Sequence, residues 1–360
     1  MTNYILNFGK LKQVISQAMK SYLYIIFITF ATIFYSCANN KLYPGIDFPH
    51  IGELTNGDTV VSDIPTDMVM RMYIVDSFAL CHCFNALDNK LIHVYNTNSG
   101  NFVTSFGSTG RGPGEIDLSY SSYKQDERVV QIITDHTSQN IKFYLDSIFA
   151  GVNYFTSTPL NRNPNSDIFS FKDTLLISDF DFRKKYNYRF AIMNPHGDTI
   201  FCYRDGTYKK DSPIAIHPNY SMLFTYTNGN FETEVFSLEN NQITLANRVT
   251  YIDPNRVLDE EILKSKDYPG LASHIYASDK YIYTGWSNSL KSKGNDKSPS
   301  KLLIFDWSGN AKGFVTLEGQ EHFFWMKAAD EKNKKMYVII KNSQGQLNIV
   351  RYDMSHLPLW

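Results

Sequence analysis

The sequence shows no excess of charge of either sign and none of the common catalytic motifs. Lys and Arg number 35 against 36 Asp and Glu, a formal net charge of -1. That balance argues against the broad basic face that non-specific nucleic-acid binding needs, so we expect no nucleic-acid partner. G-x-S-x-G, H-E-x-x-H and the glycine-rich kinase loop are absent, and the 9 histidines are scattered singly along the chain. The sequence therefore assigns no catalytic residue and predicts no cofactor and no metal site.

Cysteine is scarce as well, and its spacing is informative. Cys81 and Cys83 flank His82 within the apolar run 78–84. On a β-strand, residues i and i+2 point to the same face, so the two thiols would be neighbours. No C-x-x-C or H-x-x-x-H motif accompanies them, which argues against a metal site and favours small apolar thiols in a core strand. A disulfide to Cys202 is the alternative in an oxidising compartment.

Aromatic and apolar residues are abundant. Apolar residues make up 43% of the chain, aromatic ones 15% and charged ones 20%, a composition that excludes a disordered chain. The many Phe, Tyr, Ile and Val residues favour pleated, half-buried strands over helices. A length of 360 residues suits a single large all-β domain.

The one uncharged apolar run near the N-terminus is short. Met19 and Lys20 precede 14 uncharged residues, 22–35, followed by Ser36 and Cys37. This is the length of a signal-peptide core, whereas a bilayer-spanning helix needs about 20 apolar residues. The segment resembles a bacterial lipoprotein signal, which implies that Cys37 is lipidated and becomes the first mature residue. An uncleaved anchor helix is the alternative.

The resemblance to a lipoprotein signal defines three segments. Residues 1–36 are predicted to be the signal peptide, with 1–18 an upstream start-site artefact, and 37–56 the lipidated cysteine and its tether. Residues 57–360 are then the folded domain. No acidic run follows Cys37. We therefore expect a protein held in the cell envelope by its lipid, at the outer membrane and facing the periplasm, with exposure at the cell surface as the alternative.

Past residue 57 a four-strand unit recurs. It is clearest over 70–107, 168–203 and 274–317, where short apolar runs are bounded by Asn, Asp and Gly, which are hairpin signals. The turns between third and fourth strands lie near Gly100, Asp146, Gly197, Asn240, Gly309 and Ser355. Their spacing is about 50 residues, apart from one longer step that holds an insertion at 253–270, predicted to contain a short helix. This period predicts a β-propeller of six four-stranded antiparallel blades, with seven blades as the alternative.

The last unit lacks a fourth strand of its own, because its third strand ends close to the C-terminus. Residues 59–61 (TVV), near the mature N-terminus, are predicted to supply it and so fasten the first blade to the last. Loss of stability on deletion of 57–63 would support this closure.

One loop between the first two units is distinctive. The segment 106–116 reads FGSTGRGPGEI and contains the residues Gly110, Arg111, Gly112, Pro113, Gly114 and Glu115. A GxGPGE loop after the first blade, behind a lipoprotein signal, resembles the TolB-like propeller lipoproteins of Gram-negative bacteria. That resemblance covers residues 37–360 and implies a six-bladed propeller of NHL/TolB type.

The glycines of this loop could also suggest a phosphate site. A P-loop needs Lys and Ser or Thr after its last glycine, where this chain has Glu115 and Ile116. A dinucleotide loop offers backbone N–H groups, and Pro113 removes one. A structural role is favoured, in which the glycines supply unusual backbone angles and Arg111 pairs with Glu115. Contact with a ligand is the alternative.

Propeller topology places this loop on the same face as the loops between second and third strands. That face would carry a locally basic rim, formed by Arg111, Glu115, Arg183, Lys184, Lys185, Lys291, Lys293 and Lys297. Such a rim would attract an anionic sugar, peptide or lipid headgroup. Solvated loop lysines without a partner are the simpler interpretation.

The sequence thus predicts a monomeric, lipid-anchored propeller that binds or scaffolds a protein or glycan partner through one loop face. The alternative is a metal-dependent hydrolase or lyase with a central-channel site, since related propellers include calcium-dependent lactonases. Asp135, Asp179 and Asp279 are the candidates for holding calcium there, although each also fits a turn or strand end. Three or more acidic, Asn or His side chains converging in the channel would favour the enzyme, and a mixed or apolar channel would favour binding.

Overall fold

The strands follow from runs of apolar residues that are buried on both faces. In the computed structural model, β8 (Val129–Thr134) is buried at all six positions, and the middle strands of the other sheets follow the same trend. Outer strands differ: β18 (Gln242–Thr250) is exposed along most of its length. Continuous burial of a middle strand requires cover on both faces of its sheet, so each sheet must be packed between two others.

The structure describes most of the chain beyond residue 47. The described residues are 48–110, 115–116, 119–124, 127–134, 139–160, 166–171, 174–179, 189–194, 196, 198–203, 214–227, 232–251, 271–286, 301–317 and 324–360. Phe48–Trp360 form one unit. The predicted signal peptide, Cys37 and the insertion at 253–270 lie outside the described residues.

The described strands form six sheets, five of four strands and one of five. Sheet 1 consists of β3 (Met68–Val75), β4 (Phe78–Phe84), β5 (Lys90–Asn96) and β6 (Phe102–Ser108). Sheet 2 consists of β7 (Ser119–Lys124), β8, β9 (Gln139–Tyr144) and β10 (Phe155–Pro159), with the short helix α1 (Leu145–Phe149) between β9 and β10. Sheet 3 consists of β11 (Ser166–Phe171), β12 (Thr174–Asp179), β13 (Phe190–Met193) and β14 (Thr199–Tyr203). Within each sheet, consecutive strands pair antiparallel.

The remaining sheets take in the N-terminal strands. Sheet 4 consists of β15 (Ile214–Ile216), β16 (Met222–Thr227), β17 (Glu232–Glu239) and β18. Sheet 5 consists of β19 (Leu271–Ala277), β20 (Tyr281–Trp286), β21 (Lys301–Asp306), β22 (Ala311–Leu317) and, beyond β22, β1 (His50–Leu54). Sheet 6 consists of β23 (Phe324–Asp330), β24 (Lys335–Lys341), β25 (Leu347–Asp353) and β2 (Asp58–Ile64).

The six sheets contact one another in a closed cycle. Apolar clusters join sheet 1 to 2, 2 to 3, 3 to 4, 5 to 6, and 6 back to 1. Sheets 4 and 5 meet through Phe224 and Phe305, whose ring centroids lie 5.4 Å apart. Sheets stacked face to face in a cycle, each contributing its first strand to the centre, form a β-propeller with four-stranded antiparallel blades. The units predicted at 70–107, 168–203 and 274–317 coincide with sheets 1, 3 and 5 to within three residues at either end.

The predicted closure by the N-terminal segment is confirmed. β2 pairs antiparallel with β25, with Thr59 opposite Val350, and supplies the fourth strand of sheet 6. Its side chains Val61 and Ile64 are buried in the cluster that joins sheet 6 to sheet 1. The first and last parts of the chain are therefore held in one sheet.

A second N-terminal strand was not predicted. Residues 50–54, expected to be part of a tether, instead form β1, which pairs parallel with β22. The N–H of Phe314 donates to the carbonyl of Pro49 (2.9 Å), and Gly313, at φ +136°, leaves no room for a Cβ against that carbonyl. Phe48 then packs edge-on against Tyr251, with ring centroids 5.2 Å apart. The N-terminal segment thus spans two neighbouring sheets.

Cys81 and Cys83 lie in a core strand, as predicted from the sequence. Cys81 and Cys83 are both buried in the cluster between sheets 6 and 1, so they do share one face of β4. All three described cysteines are free, and the alternative disulfide to Cys202 is not formed. Burial raises the pKa of the Cys83 thiol to about 12.

Candidate functional site

The first strands of the sheets, here called the inner strands, surround a cavity of 1120 Å³. Its lining comes mainly from β3, β7, β15, β19 and β23 and from the turn that follows each of these strands. In an antiparallel sheet, the turn after the first strand and the turn after the third lie at the same end. The cavity therefore lies at that end of the ring, which we call the mouth end, and five of the six sheets contribute to it.

Three cations that line the mouth pair with carboxylates. Arg128 donates hydrogen bonds to Asp76 and to Asp146, each at 2.8 Å. These two carboxylates raise the pKa of Arg128, which keeps it charged. Lys335 pairs with Asp353 (3.1 Å), and Arg351 with Asp58 (3.4 Å). Exposed pairs of this kind contribute little stability each, but they compensate the cations that face the cavity.

A carboxyl group of sheet 6 is held at the mouth by groups of sheet 5. Glu331 accepts hydrogen bonds from the hydroxyls of Ser278 (2.5 Å) and Tyr283 (3.0 Å) and from the backbone N–H of Lys280 (3.2 Å). Burial raises the pKa of Glu331, against the opposing effect of these donors. The carboxyl joins the turn after β23 to the turn after β19 and so fixes the edge of the cavity.

The junction of sheets 4 and 5 is fixed by an imidazole. His217 donates from Nε2 to the carbonyl of Asp279 (3.0 Å), while its Nδ1 accepts from the N–H of Asn219 (3.1 Å). Trp307 packs on the same ring, with centroids 4.7 Å apart, and donates to the carbonyl of Ser278 (2.9 Å). Both ring nitrogens of His217 are therefore engaged in holding two turns together, which is a positioning role rather than an acid–base one.

Two tyrosines of neighbouring sheets meet on the cavity wall. Tyr73 of β3 and Tyr123 of β7 are half-buried, with ring centroids 6.1 Å apart and planes tilted by 44°. Both pack with one part of the ring against the core between sheets 1 and 2 while lining the cavity. They give the cavity wall an aromatic surface beside the charged pairs of the mouth.

A buried histidine lies next to one of the lining residues. His82 of β4 is opposite Arg71 of β3, which lines the cavity, and its side chain is only 3% exposed. Burial, together with the charge of Arg71, lowers the pKa of His82 to about 3. The imidazole is thus neutral in the folded protein at any ordinary pH.

The lowered pKa predicts a loss of stability in mild acid. Between pH 6.5 and about 3 the unfolded chain binds a proton at His82 that the folded chain does not, so the free energy of unfolding falls by about 1.4 kcal/mol per pH unit through that window. Above pH 7 the residue contributes no pH dependence. Urea unfolding of wild type and His82→Gln between pH 7 and pH 4.5 measures the difference. His196→Gln, at an exposed histidine, is the control and should follow the wild type; parallel curves for His82→Gln and wild type would contradict the prediction.

Of the loop and rim residues predicted from the sequence, only Gly110 and Glu115 lie among the described residues. Gly110 has φ +151°, and a Cβ there would overlap the carboxylate of Glu115, which folds back over it. The N–H of Gly110 donates to the carbonyl of Ile116 (3.0 Å), and that of Ile116 to Ser108 (2.8 Å). This part of the loop is held by its own backbone, as a structural role requires. Cys37 and the other predicted residues lie outside the described residues and stay predictions: Arg111, Gly112, Pro113, Gly114, Arg183, Lys184, Lys185, Lys291, Lys293 and Lys297.

The structure brings together a different set from the predicted rim. The loop with Gly110 and Glu115 leads into the start of β7, whereas the cavity lies where the inner strands end. The two features therefore belong to opposite ends of the ring, and we call the loop side the rim end. A signal for the mouth end was present in the sequence, because inner strands finish at acidic turns such as Asp76, Asp279 and Asp330–Glu331. From the sequence, these residues are assigned to turns, with Asp279 also a candidate calcium ligand, and are not connected with a cavity.

Of the three aspartates proposed from the sequence as calcium ligands, only Asp279 has a side chain among the described residues. Asp279 lies at the mouth, where its carbonyl accepts from His217, while Asp135 and the side chain of Asp179 lie outside the described residues. Among the described residues, no group of three or more His, Cys, Asp or Glu side chains is placed to hold a metal ion. In that same part of the chain, no helix is long and apolar enough to span a membrane.

Comparison with known proteins identifies the fold but no family. No protein-family model and no curated protein matches the chain. A crystal structure of a member of the DUF4221 family from Bacteroides vulgatus ATCC 8482 is similar, with a TM-score of 0.56 and 11% identity over 84% of this chain and 96% of that one. A protein described as a candidate exported protein, from Bacteroides fragilis NCTC 9343, gives a TM-score of 0.53 and 12% identity over 85% of this chain and 94% of that one. These likenesses support the β-propeller fold.

Proposed function

We propose that the protein is an exported, lipid-anchored propeller of six blades that binds a protein or glycan partner in the cavity at its mouth end. The observation that carries this proposal is the cavity itself, built by five sheets and lined by tyrosines and by charges of both signs. Pockets that combine a large buried surface with a few convergent polar groups are the usual binding sites of proteins.

Export, anchoring and blade number rest on separate support. The similar protein from Bacteroides fragilis is described as exported, and the segment 19–37 has the pattern of a lipoprotein signal. Six sheets in a closed cycle support six blades, with β1 as an added strand on one of them. The GxGPGE loop supports a TolB-like or NHL-type propeller. We therefore place the protein in the cell envelope, attached through Cys37.

The lining favours binding over catalysis. Three cations at the mouth pair with carboxylates, Glu331 accepts from two hydroxyls and a backbone N–H, and both nitrogens of His217 are engaged in structural hydrogen bonds. A catalytic acid or base needs a group directed at the substrate with a protonation state suited to the reaction. The described mouth residues hold the turns in place instead, as a rigid recognition surface does.

Filling the cavity is expected to abolish partner capture. Ala277 is a half-buried residue of the lining, and Ala277→Trp would place a large ring in the cavity. Full-length lipidated protein, wild type or variant, is incubated with detergent-solubilised native envelope, and the bound material is quantified. Capture should fall by about tenfold or more with Ala277→Trp. Ala150→Trp, at an exposed position after α1, is the matched control and should capture as the wild type does.

The predicted rim is tested in the same assay. Charge reversal of Lys184 and Lys185 should leave capture unchanged if the partner binds at the mouth end. Unchanged capture by Ala277→Trp together with loss on charge reversal would move the site to the rim end and overturn the proposal. If the wild-type protein captures no component of the envelope, the proposed binding function is wrong.

A further inference from the structure

We propose that the cavity recognises an uncharged carbohydrate, through stacking of a sugar ring on Tyr73 and Tyr123. This inference rests on the proposed function and specifies its ligand. It follows from three properties of the cavity: its size, the ion pairs at its mouth, and the aromatic pair on its wall.

The size of the cavity favours an extended ligand. Typical small-molecule pockets have volumes of about 300–1,000 Å³. The cavity here, at 1120 Å³, exceeds that range and is bordered by turns from five sheets. A chain of several sugar units uses such a volume, whereas a single metabolite leaves most of it filled with water.

The charges of the cavity argue against an ionic ligand. Arg128, Lys335 and Arg351 already pair with carboxylates at 2.8, 3.1 and 3.4 Å. At these three pairs an anion would have to compete with the carboxylate for the cation, and a cation would have to compete with the lysine or arginine for the carboxylate. A neutral ligand with many hydroxyls avoids both costs, because paired ions still offer hydrogen-bond acceptors and donors at their free edges.

The aromatic pair supplies the contact surface that a sugar needs. One face of a pyranose carries axial C–H groups, which pack favourably on the negative face of an aromatic ring, and a tyrosine combines such a face with a polar hydroxyl. Tyr73 and Tyr123 lie on neighbouring inner strands with centroids 6.1 Å apart. Their rings are held by the core between sheets 1 and 2, so the surface is preformed and its ordering costs little on binding.

Other groups do not contribute as directly to this surface. Tyr276 packs against two core clusters, those that join sheet 5 to 6 and sheet 6 to 1, and both Tyr220 and Tyr337 are buried. The two tyrosines at the junction of sheets 1 and 2 are therefore the residues on which the inference depends.

The test separates glycan from protein in the native envelope. Envelope is digested exhaustively with protease, and one half of the digest is then oxidised with periodate, which cleaves vicinal diols of sugars. Immobilised full-length protein is expected to bind the unoxidised digest and to lose about nine-tenths of that binding after periodate. Ala277→Trp should bind neither half.

Substitutions locate the contact. Tyr73→Leu and Tyr123→Leu keep apolar packing but remove the flat ring, and each should weaken binding by about tenfold. The phenylalanine variants at both positions should stay within about twofold of wild type. Tyr154→Leu, at an exposed tyrosine outside the cavity lining, is the matched control, and the melting temperature of each variant shows whether it folds.

Each remaining outcome decides between the two proposals. Binding of whole envelope that is lost on proteolysis and insensitive to periodate means a protein ligand; the carbohydrate inference then fails and the proposed function stands. Binding that persists in both leucine variants also overturns the inference. If neither whole envelope nor its digest binds, the proposed function fails with it.

Discussion

Val61→Asp is expected to lower the melting temperature by about 10 °C or more, because it disrupts the strand that closes the ring. Val61 is 3% exposed and lies in the cluster shared by sheets 6 and 1. A carboxylate there either stays buried without a partner or forces β2 away from β25, and either costs several kcal/mol. For a domain of this size, each kcal/mol corresponds to about 2–4 °C.

The neighbouring residue is the natural control for this experiment. Ser62 follows Val61 in β2 but is exposed, so Ser62→Asp should melt within about 2 °C of the wild type. Circular dichroism or differential scanning fluorimetry of the three proteins suffices. If Val61→Asp melts together with Ser62→Asp, β2 does not hold the first and last sheets together.

Glu234→Ala is expected to lower the free energy of unfolding by about 3–5 kcal/mol. The Glu234 carboxylate is fully buried between sheets 3 and 4 and pairs with Arg189 and Arg248, each at 2.6 Å. The side chain of Arg189 is only 9% exposed, and its guanidinium lies over the rings of Phe190 (4.9 Å) and Phe236 (5.5 Å). Removing the carboxylate leaves the guanidinium of Arg189 in a largely apolar junction without the compensating charge of Glu234.

A double substitution separates the ion pair from its burial cost. Replacing both Glu234 and Arg189 by leucine removes the stranded charge and should recover much of the loss, because apolar pairs often replace buried ion pairs without penalty. Glu239→Ala, at the exposed end of the same strand, is the control and should change stability by less than about 0.5 kcal/mol. Urea unfolding at pH 7 measures all four. A loss below about 1 kcal/mol for Glu234→Ala would show that the junction does not depend on this carboxylate.

The strands could be predicted from the sequence because their turns carry local signals. Gly100, Asn240 and Gly309 sit between third and fourth strands with φ of +73°, +50° and +82°, which are backbone angles that Gly and Asn tolerate best. These three turns belong to sheets 1, 4 and 5, and the spacing of such residues along the sequence predicted the propeller. Asp146, predicted to lie in a further turn, instead lies in the first turn of the short helix α1, although at the expected place between β9 and β10.

Pairings between residues that are far apart along the chain left no comparable signal in the sequence. β1 pairs with a strand more than 250 residues away in parallel register, and nothing in the five residues His50–Leu54 distinguishes it from a tether. The pairing of buried Glu234 with Arg189 was equally invisible, since Arg189 directly precedes β13 of another sheet, whereas Arg248 lies opposite Glu234 on the neighbouring strand. The candidate site was missed for the same reason: the cavity is assembled from five sheets, and no local motif records which ends of their inner strands converge.

Photocrosslinking from the two ends of the ring tests most directly the claim that the cavity is the binding site. A benzophenone side chain, which inserts into C–H bonds of proteins and glycans alike, is placed at Ile216 in the cavity lining or at Leu87, 85% exposed in the β4–β5 connection at the rim end. Irradiation with native envelope is expected to give a discrete crosslinked product from Ile216 and none from Leu87. A product from Leu87 alone would contradict the account and place the binding surface at the rim end.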